Sequence, residues 1–183
     1  MKGIVFNLLE EVVRRAYGED TWDTLLEAAG LDGVYTSLGN YPHEELLQLV
    51  TAASPALQMP PETIICWFGR HAIALLVERY PEFFEVHTTT RSFLLTLNDV
   101  IHPEVRKIYP GADVPMFTYD TSSDDVLRMQ YQSARKLCMF GQGLIEGAAA
   151  HYGEAVSIEH PRCMNRGDAQ CEFRVSFPSG EAE

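Results

Sequence analysis

Apolar residues recur three and four positions apart through the first half of the chain, the spacing of one face of an α-helix. Ile4, Leu8 and Val12, with Val5, Leu9 and Val13, predict a first helix that Gly18 ends. Asp20 or Thr21 is placed to cap a second, which carries Trp22, Leu25, Leu26 and Ala29 and stops at Gly30. After a loop marked by Asp32, Gly33, Gly39 and Pro42, the residues Leu46, Leu47, Leu49 and Val50 predict a third helix, closed before Pro55. Pro60 and Pro61 open a fourth, with Glu62 at its positive end. It runs through Ile64, Ile65, Trp67 and Phe68 to about Arg79, with Gly69 as a bend. Phe83, Phe84 and Val86 form a short piece. Phe93, Leu94, Leu97 and Ile101 then share one stripe of a further helix that Pro103 ends or bends.

Beyond Pro110, Gly111 and Pro115 the period changes. Leu127, Met129 and Tyr131 alternate with polar residues, as in a half-buried strand. Residues 137–151 return to helix, rich in Gly and Ala. Residues 155–159 and 170–177 predict the two strands of a hairpin around Asn165, Arg166, Gly167 and Asp168. The reading is α+β: a mainly helical N-terminal part, then a small antiparallel sheet with one long helix inserted. No repeat or linker divides residues 1–183, so one domain is expected, with a helical subdomain at 1–60 and a second subdomain at 61–178. The tail, 178–183, is expected to fray.

Composition narrows the classes. The 183 residues are 46% apolar and 22% charged, ordinary for a folded chain with a sizeable core. A net charge of −12 argues against nucleic acid and anionic membrane surfaces, which call for clustered Lys and Arg. It suits a protein partner with a basic patch. No stretch is apolar enough for a membrane span and the start lacks the pattern of a secretory signal, so a cytoplasmic location is the default. No nucleophile with a base and no open catalytic metal set stands out, so no enzyme is expected.

Three groups of residues offer chemistry. His102 follows Leu94, Leu97 and Ile101 on one helical surface, where a neutral imidazole is either a core histidine bonded to a carbonyl or a ligand to metal or haem iron. Tyr131, Ser133 and Arg135 would share one face of an extended strand, about 7 Å apart in successive steps. That face is either solvated or a set of donors for paired carboxylates, Arg135 supplying a planar fork. Cys138, His160, Cys163 and Cys171 amount to a closed tetrahedral zinc set if the hairpin brings them together, or to unligated core cysteines if it does not. Cys66 is left over and reads as core.

In order along the chain, the start Met1-Lys2-Gly3-Ile4-Val5-Phe6-Asn7, the run Asn98-Asp99-Val100-Ile101-His102-Pro103-Glu104-Val105, and Tyr131-Gln132-Ser133-Ala134-Arg135 resemble the H-NOX family. These are the haem nitric oxide/oxygen binding domains also found in soluble guanylate cyclase, and the resemblance covers essentially the whole chain. It implies haem b, with His102 as the proximal iron ligand and Tyr131, Ser133 and Arg135 on the propionates. It further implies that Pro115 presses on the porphyrin and that Ile4, Val5 and Leu144 pack near the ring. Some oxygen-binding members place a distal Tyr five residues after the signature Arg; Phe140 stands there in this chain. Met139, Leu144 and Ile145 flank it, and Trp67 and Tyr152 remain alternative donors. A subset of the family carries zinc on a set like Cys138, His160, Cys163 and Cys171.

The function expected is therefore a nitric oxide sensor. Weakening of the iron–His102 bond would free the helix that ends there and relax the ring against Pro115. The chain is too short to carry a fused output module, so its partner is expected to be separate. Resemblance to standalone bacterial members points to a sensor histidine kinase or a cyclic-di-GMP enzyme. The alternatives are an oxygen-binding haem sensor and a zinc-dependent redox-sensing or binding module.

Overall fold

The computed structural model describes residues 1–177; the expected fraying of 178–183 lies outside them. Helix α1 (Gly3–Tyr17) buries Phe6, Leu8, Leu9, Val12 and Val13, the face that the spacing predicts, and ends at Gly18 with φ 98°. Helix α2 (Asp20–Ala29) begins after Glu19 without a side-chain cap. Asp20 and Thr21 are thus its first residues rather than its cap, and the Thr21 hydroxyl donates back to the Tyr17 carbonyl at 2.9 Å.

Helix α3 (Glu44–Leu57) does not close before Pro55 but runs through it. Pro55 falls in the last turn, where it forfeits one backbone bond, and Gln58 then closes the helix with φ 52°. Helix α4 (Pro61–Arg79) starts on Pro61 as predicted and is continuous across Gly69. Gly69 serves a helix crossing instead of a bend. A side chain there would strike the backbone of Phe140, and one at Gly143 or Gly147 would strike the backbone of Cys66 or Arg70. These glycines let α4 and α7 (Cys138–His151) approach backbone to backbone.

Helix α5 (Thr90–Leu95), whose cap Thr89 accepts from the Ser92 N–H at 3.2 Å, leads into a π-helical turn at Leu97–Ile101 and then α6 (His102–Ile108). Pro103 therefore neither ends nor bends the stretch. It lies in the first turn of α6, where its missing N–H is tolerated, just after the widened turn.

Four strands form one antiparallel sheet, in the order β1 (Met116–Asp120), β2 (Val126–Gln132), β4 (Cys171–Ser176), β3 (Ser157–Arg162). Helix α7 is inserted between β2 and β3, so the architecture is α+β as expected. Strand β1 is an addition. Its inward residues are Phe117 and Tyr119, with Met116 exposed. Leu127, Met129, Tyr131, Phe173 and Val175 form the inner face of the central pair. One apolar cluster fills the space between α1, α2, α3 and α4, and a second lies beneath the sheet; α4 and α7 contribute to both.

Candidate functional site

Between the two clusters lies a cavity of about 300 Å³, large enough for a small-molecule site. His102, Tyr131, Ser133, Arg135, Pro115, Ile4, Val5, Leu144 and Phe140, singled out in the sequence, all line it. They converge from α1, α6, α7 and both ends of the β1–β2 hairpin, positions up to 140 residues apart.

His102 is the polar centre of this cavity. Its Nδ1 is buried and has no hydrogen-bond partner. Burial pushes its pKa down to about 4, helped by the nearby Arg106 charge and opposed weakly by the Pro115 backbone. The ring is therefore neutral at physiological pH, with a lone pair available. It is carried by the π-helical turn, where the Ile101 N–H reaches back five residues to the Thr96 carbonyl at 3.1 Å. The His102 N–H likewise reaches Leu97. Such turns are uncommon and concentrate at functional sites.

The Tyr131, Ser133 and Arg135 set meets at one end of the cavity, although not by strand alternation. Strand β2 stops at Gln132, so only Tyr131 lies on it. Ser133 and Arg135 enter a tight turn in which the Ser133 hydroxyl accepts from the Arg135 N–H at 3.3 Å and Lys136 takes φ 52°. The turn folds the chain back, and this brings the three side chains to one mouth. Tyr131 is buried, which raises its phenol pKa to about 12. Arg135 pairs with the Asp113 carboxylate at 2.7 Å and also donates to the Asp113 carbonyl.

The wall supplied by α1, α4 and α7 consists of apolar residues, among them Ile4, Val5, Leu76, Phe140, Leu144 and Ile145. Neither Trp67 nor Tyr152 reaches it. Trp67 packs against Tyr17 and His71, and the Tyr152 hydroxyl donates to the Phe84 carbonyl at 3.0 Å. The sequence reading missed one polar feature of the cavity. Tyr80, at the end of α4, and Tyr109, at the end of α6, share a hydroxyl–hydroxyl hydrogen bond at its edge. Lone tyrosines 29 residues apart carry no spacing signal that could have linked them.

These residues fit haem. The walls suit a porphyrin face, the unpaired buried imidazole suits iron, and the Tyr131, Ser133 and Arg135 donors suit two carboxylates.

The cysteine cluster is equally well formed. Ligand atoms of Cys138, His160, Cys163 and Cys171 lie within 4.8 Å of one another. The Cys138 and Cys163 sulfurs are 3.5 Å apart, close to the ~3.8 Å edge of a tetrahedron with 2.3 Å zinc–sulfur bonds. His160 Nε2 is buried without a partner. The Met164 N–H donates to Cys171 Sγ at 3.2 Å and Asn165 Nδ2 to Cys138 Sγ at 3.6 Å. Donors aimed at sulfur suit thiolates. Without a cation, burial and the neighbouring sulfurs push the Cys138 thiol up, burial pushes Cys171 up against the opposing Met164 N–H, and burial and Arg166 push His160 down. The group is thus one that a metal would satisfy. Cys66 lies outside it: its thiol donates to Glu146 at 3.7 Å, and burial, reinforced by that carboxylate, raises it to about 11, which leaves it unreactive.

Comparison with known proteins agrees with this geometry. An H-NOX protein of S. oneidensis, solved in its Fe(II)NO state, superposes with a TM-score of 0.91 at 31% identity, covering 98% of this chain and 100% of that one. The unliganded Fe(II) H-NOX protein from K. algicida gives 0.87 at 27% identity, with full coverage of both chains. An oxygen-binding H-NOX domain related to soluble guanylate cyclases, in its oxygen complex, gives 0.82 at 25% identity, covering 98% of this chain and 96% of that one. The family model for haem-NO-binding domains matches residues 2–160. The chain belongs to this H-NOX family of haem-based sensors of nitric oxide or oxygen.

Proposed function

We propose that the chain senses nitric oxide and reports it by conformational change to a separate partner protein. The observation that carries nitric oxide over oxygen is the wall of α1, α4 and α7, whose lining residues within the helices are all apolar, while the donors at its margins are engaged elsewhere, Tyr80 with Tyr109 and Lys2 with the Leu38 carbonyl. Bound haem would supply an iron position for the gas. Dioxygen would benefit there from a hydrogen-bond donor among the surrounding side chains, whereas nitric oxide would not need one. Withholding that bond would disfavour oxygen by about 0.5–1.5 kcal/mol. Phe140 stacks on Phe68 with ring centroids 4.9 Å apart, which fixes an apolar ring where an oxygen-binding site would want a hydroxyl.

The other roles follow from the same placement. His102 holds the iron, Arg135, Ser133 and Tyr131 hold the carboxylates, and Pro115, Ile4, Val5 and Leu144 pack the ring. A gas shifts a conformation only if it interacts differently with the two states. A change in the hold on His102 would be that difference, and the π-helical turn directly before it is the element placed to respond. A sensor histidine kinase or a cyclic-di-GMP enzyme is the partner class that standalone relatives suggest, and the net charge of −12 suits a basic docking patch.

Absorption spectra test the reading. Ferrous protein in air-saturated buffer is expected to form no lasting oxygen complex and to change its spectrum on addition of nitric oxide. A persistent oxygen complex would move the assignment to oxygen sensing. A second reading rests on the Cys138, His160, Cys163 and Cys171 cluster, whose four converging ligands support structural zinc. Oxidation of those thiols would release the metal and give a redox input independent of haem.

A further inference from the structure

The edge of the sheet nearest His102 is closed by a side chain. Strand β1 is an outer strand, so alternate residues point N–H and C=O away from β2. At Phe117 both groups are taken by Asn98. Its Nδ2 donates to the Phe117 carbonyl at 2.6 Å, and its Oδ1 accepts from the Phe117 N–H at 3.2 Å. The carboxamide stands where a peptide group of another strand would stand, and it covers an edge that would otherwise be open.

Asn98 belongs to the π-helical turn that delivers His102. The other polar side chain of that turn, Asp99, is exposed, and so is Val100. One turn earlier a parallel tie joins β1 to the end of α5, the Tyr119 hydroxyl donating to the Leu94 carbonyl at 2.8 Å. Phe117 itself lines the cavity two residues after Pro115, and its ring lies 6.0 Å from the His102 ring, nearly parallel at 28°. The strand residue that Asn98 grips is therefore the one against which His102 packs. Five-residue backbone bonds are rare and occur mostly as single turns of this kind at functional sites.

We propose that Asn98 is a positioning residue: by holding the π-helical turn against β1 it sets how firmly His102 reaches into the cavity. The inference rests on the reading of His102 as iron ligand. Asn98→Ala would leave both Phe117 backbone groups without this partner and release the turn. Asn98→Asp keeps the acceptor for the Phe117 N–H and turns an oxygen towards the Phe117 carbonyl, so it removes half of the clamp.

Resonance Raman spectra of the ferrous haem-loaded protein read the result, with His102→Gly as reference. The iron–histidine stretching band is expected to move to lower frequency in Asn98→Ala, and by a smaller step in Asn98→Asp. A band that stays in place or rises in both variants, while His102→Gly loses it, overturns the role of Asn98 and leaves the ligand assignment standing. A band that survives in His102→Gly overturns the ligand assignment itself. Should both Asn98 variants lose haem, an unchanged thermal transition of the chain supports the proposal. Loss of the folded chain along with haem overturns it, since Asn98 would then serve the fold at large.

Discussion

Two polar sites share the short connector between β2 and α7, and they are built on opposite plans. Arg135 faces the cavity, and three residues later Cys138 opens the helix and joins the sulfur cluster. In the cavity a single imidazole stands among apolar walls, with space left beside it. In the cluster four ligand groups converge within 4.8 Å and leave no gap. An incomplete ligand set invites an exchangeable group; a complete one excludes it and stabilises the fold. If the cavity takes haem and the cluster takes zinc, as proposed, that difference in ligand count would put sensing on one side of the connector and structure on the other.

The comparison breaks most sharply at its lone ligand. His102→Gly is expected to abolish the iron–histidine bond and to lower haem retention, while added imidazole restores a five-coordinate ferrous spectrum. The same variant should keep its full metal content at the cluster. Loss of both metals together would mean that the two sites are one folding unit rather than two designs.

At the closed site, replacing any one ligand, for instance Cys171→Ser, is expected to cost on the order of 4 kcal/mol, because metal binding is coupled to folding. In a chain of this length that is a fall of roughly 10 °C in Tm. Thermal melts with elemental analysis and thiol counting, before and after a strong chelator, measure it. Full thiol reactivity in the native protein, with no zinc above background, would remove the closed site from the comparison.

Acid sharpens the contrast from the open side. In haem-free protein the folded state holds His102 neutral to about pH 4, whereas the unfolded chain protonates near pH 6.5. The unfolded state thus binds more protons between these values, and stability falls as pH drops from about 6.5 to about 4. The loss attributable to His102 amounts to ~3 kcal/mol, with the buried ring carrying nearly all of it. Chemical unfolding curves of haem-free wild type and His102→Gly across this range should differ in slope. Parallel curves would show that the ring does not titrate as its burial implies.

The two sites also differed in how far the sequence exposed them. The candidate ligands of both could be singled out by residue type, but spacing alone left His102 open as a core histidine and the cysteines open as unligated core, and it was the ordered family-like motifs that pointed His102 towards haem. The geometry joining them was not legible. Tyr131, Ser133 and Arg135 converge through a turn with a positive φ at Lys136, which no two-residue alternation can encode. The π-helical turn before His102 has no side-chain signature, and the helix past Pro103 depends on it. Strand β1 was hidden because Met-Phe-Thr-Tyr-Asp follows a proline-rich stretch and its partner on the outer side is an asparagine side chain, not a strand. Gly69 reads as a bend in isolation, and only the facing backbone of α7 shows why a side chain is excluded.

The smallest expected effect probes the wall that distinguishes one gas from another. Phe140→Tyr adds one hydroxyl to a surface that otherwise offers none from α1, α4 and α7. The ring is held by stacking on Phe68, so the new group should project along the existing ring axis and leave the packing intact. One added hydrogen bond is worth about 0.5–1.5 kcal/mol net, a gain of roughly threefold to tenfold in oxygen affinity, with nitric oxide affinity unchanged. Oxygen titration of the ferrous variant by absorption checks this. A variant that binds oxygen no better than wild type would show that the ring axis of Phe140 does not point at the gas, and the donor-free wall would then have to be argued from Leu144 and Ile145 instead.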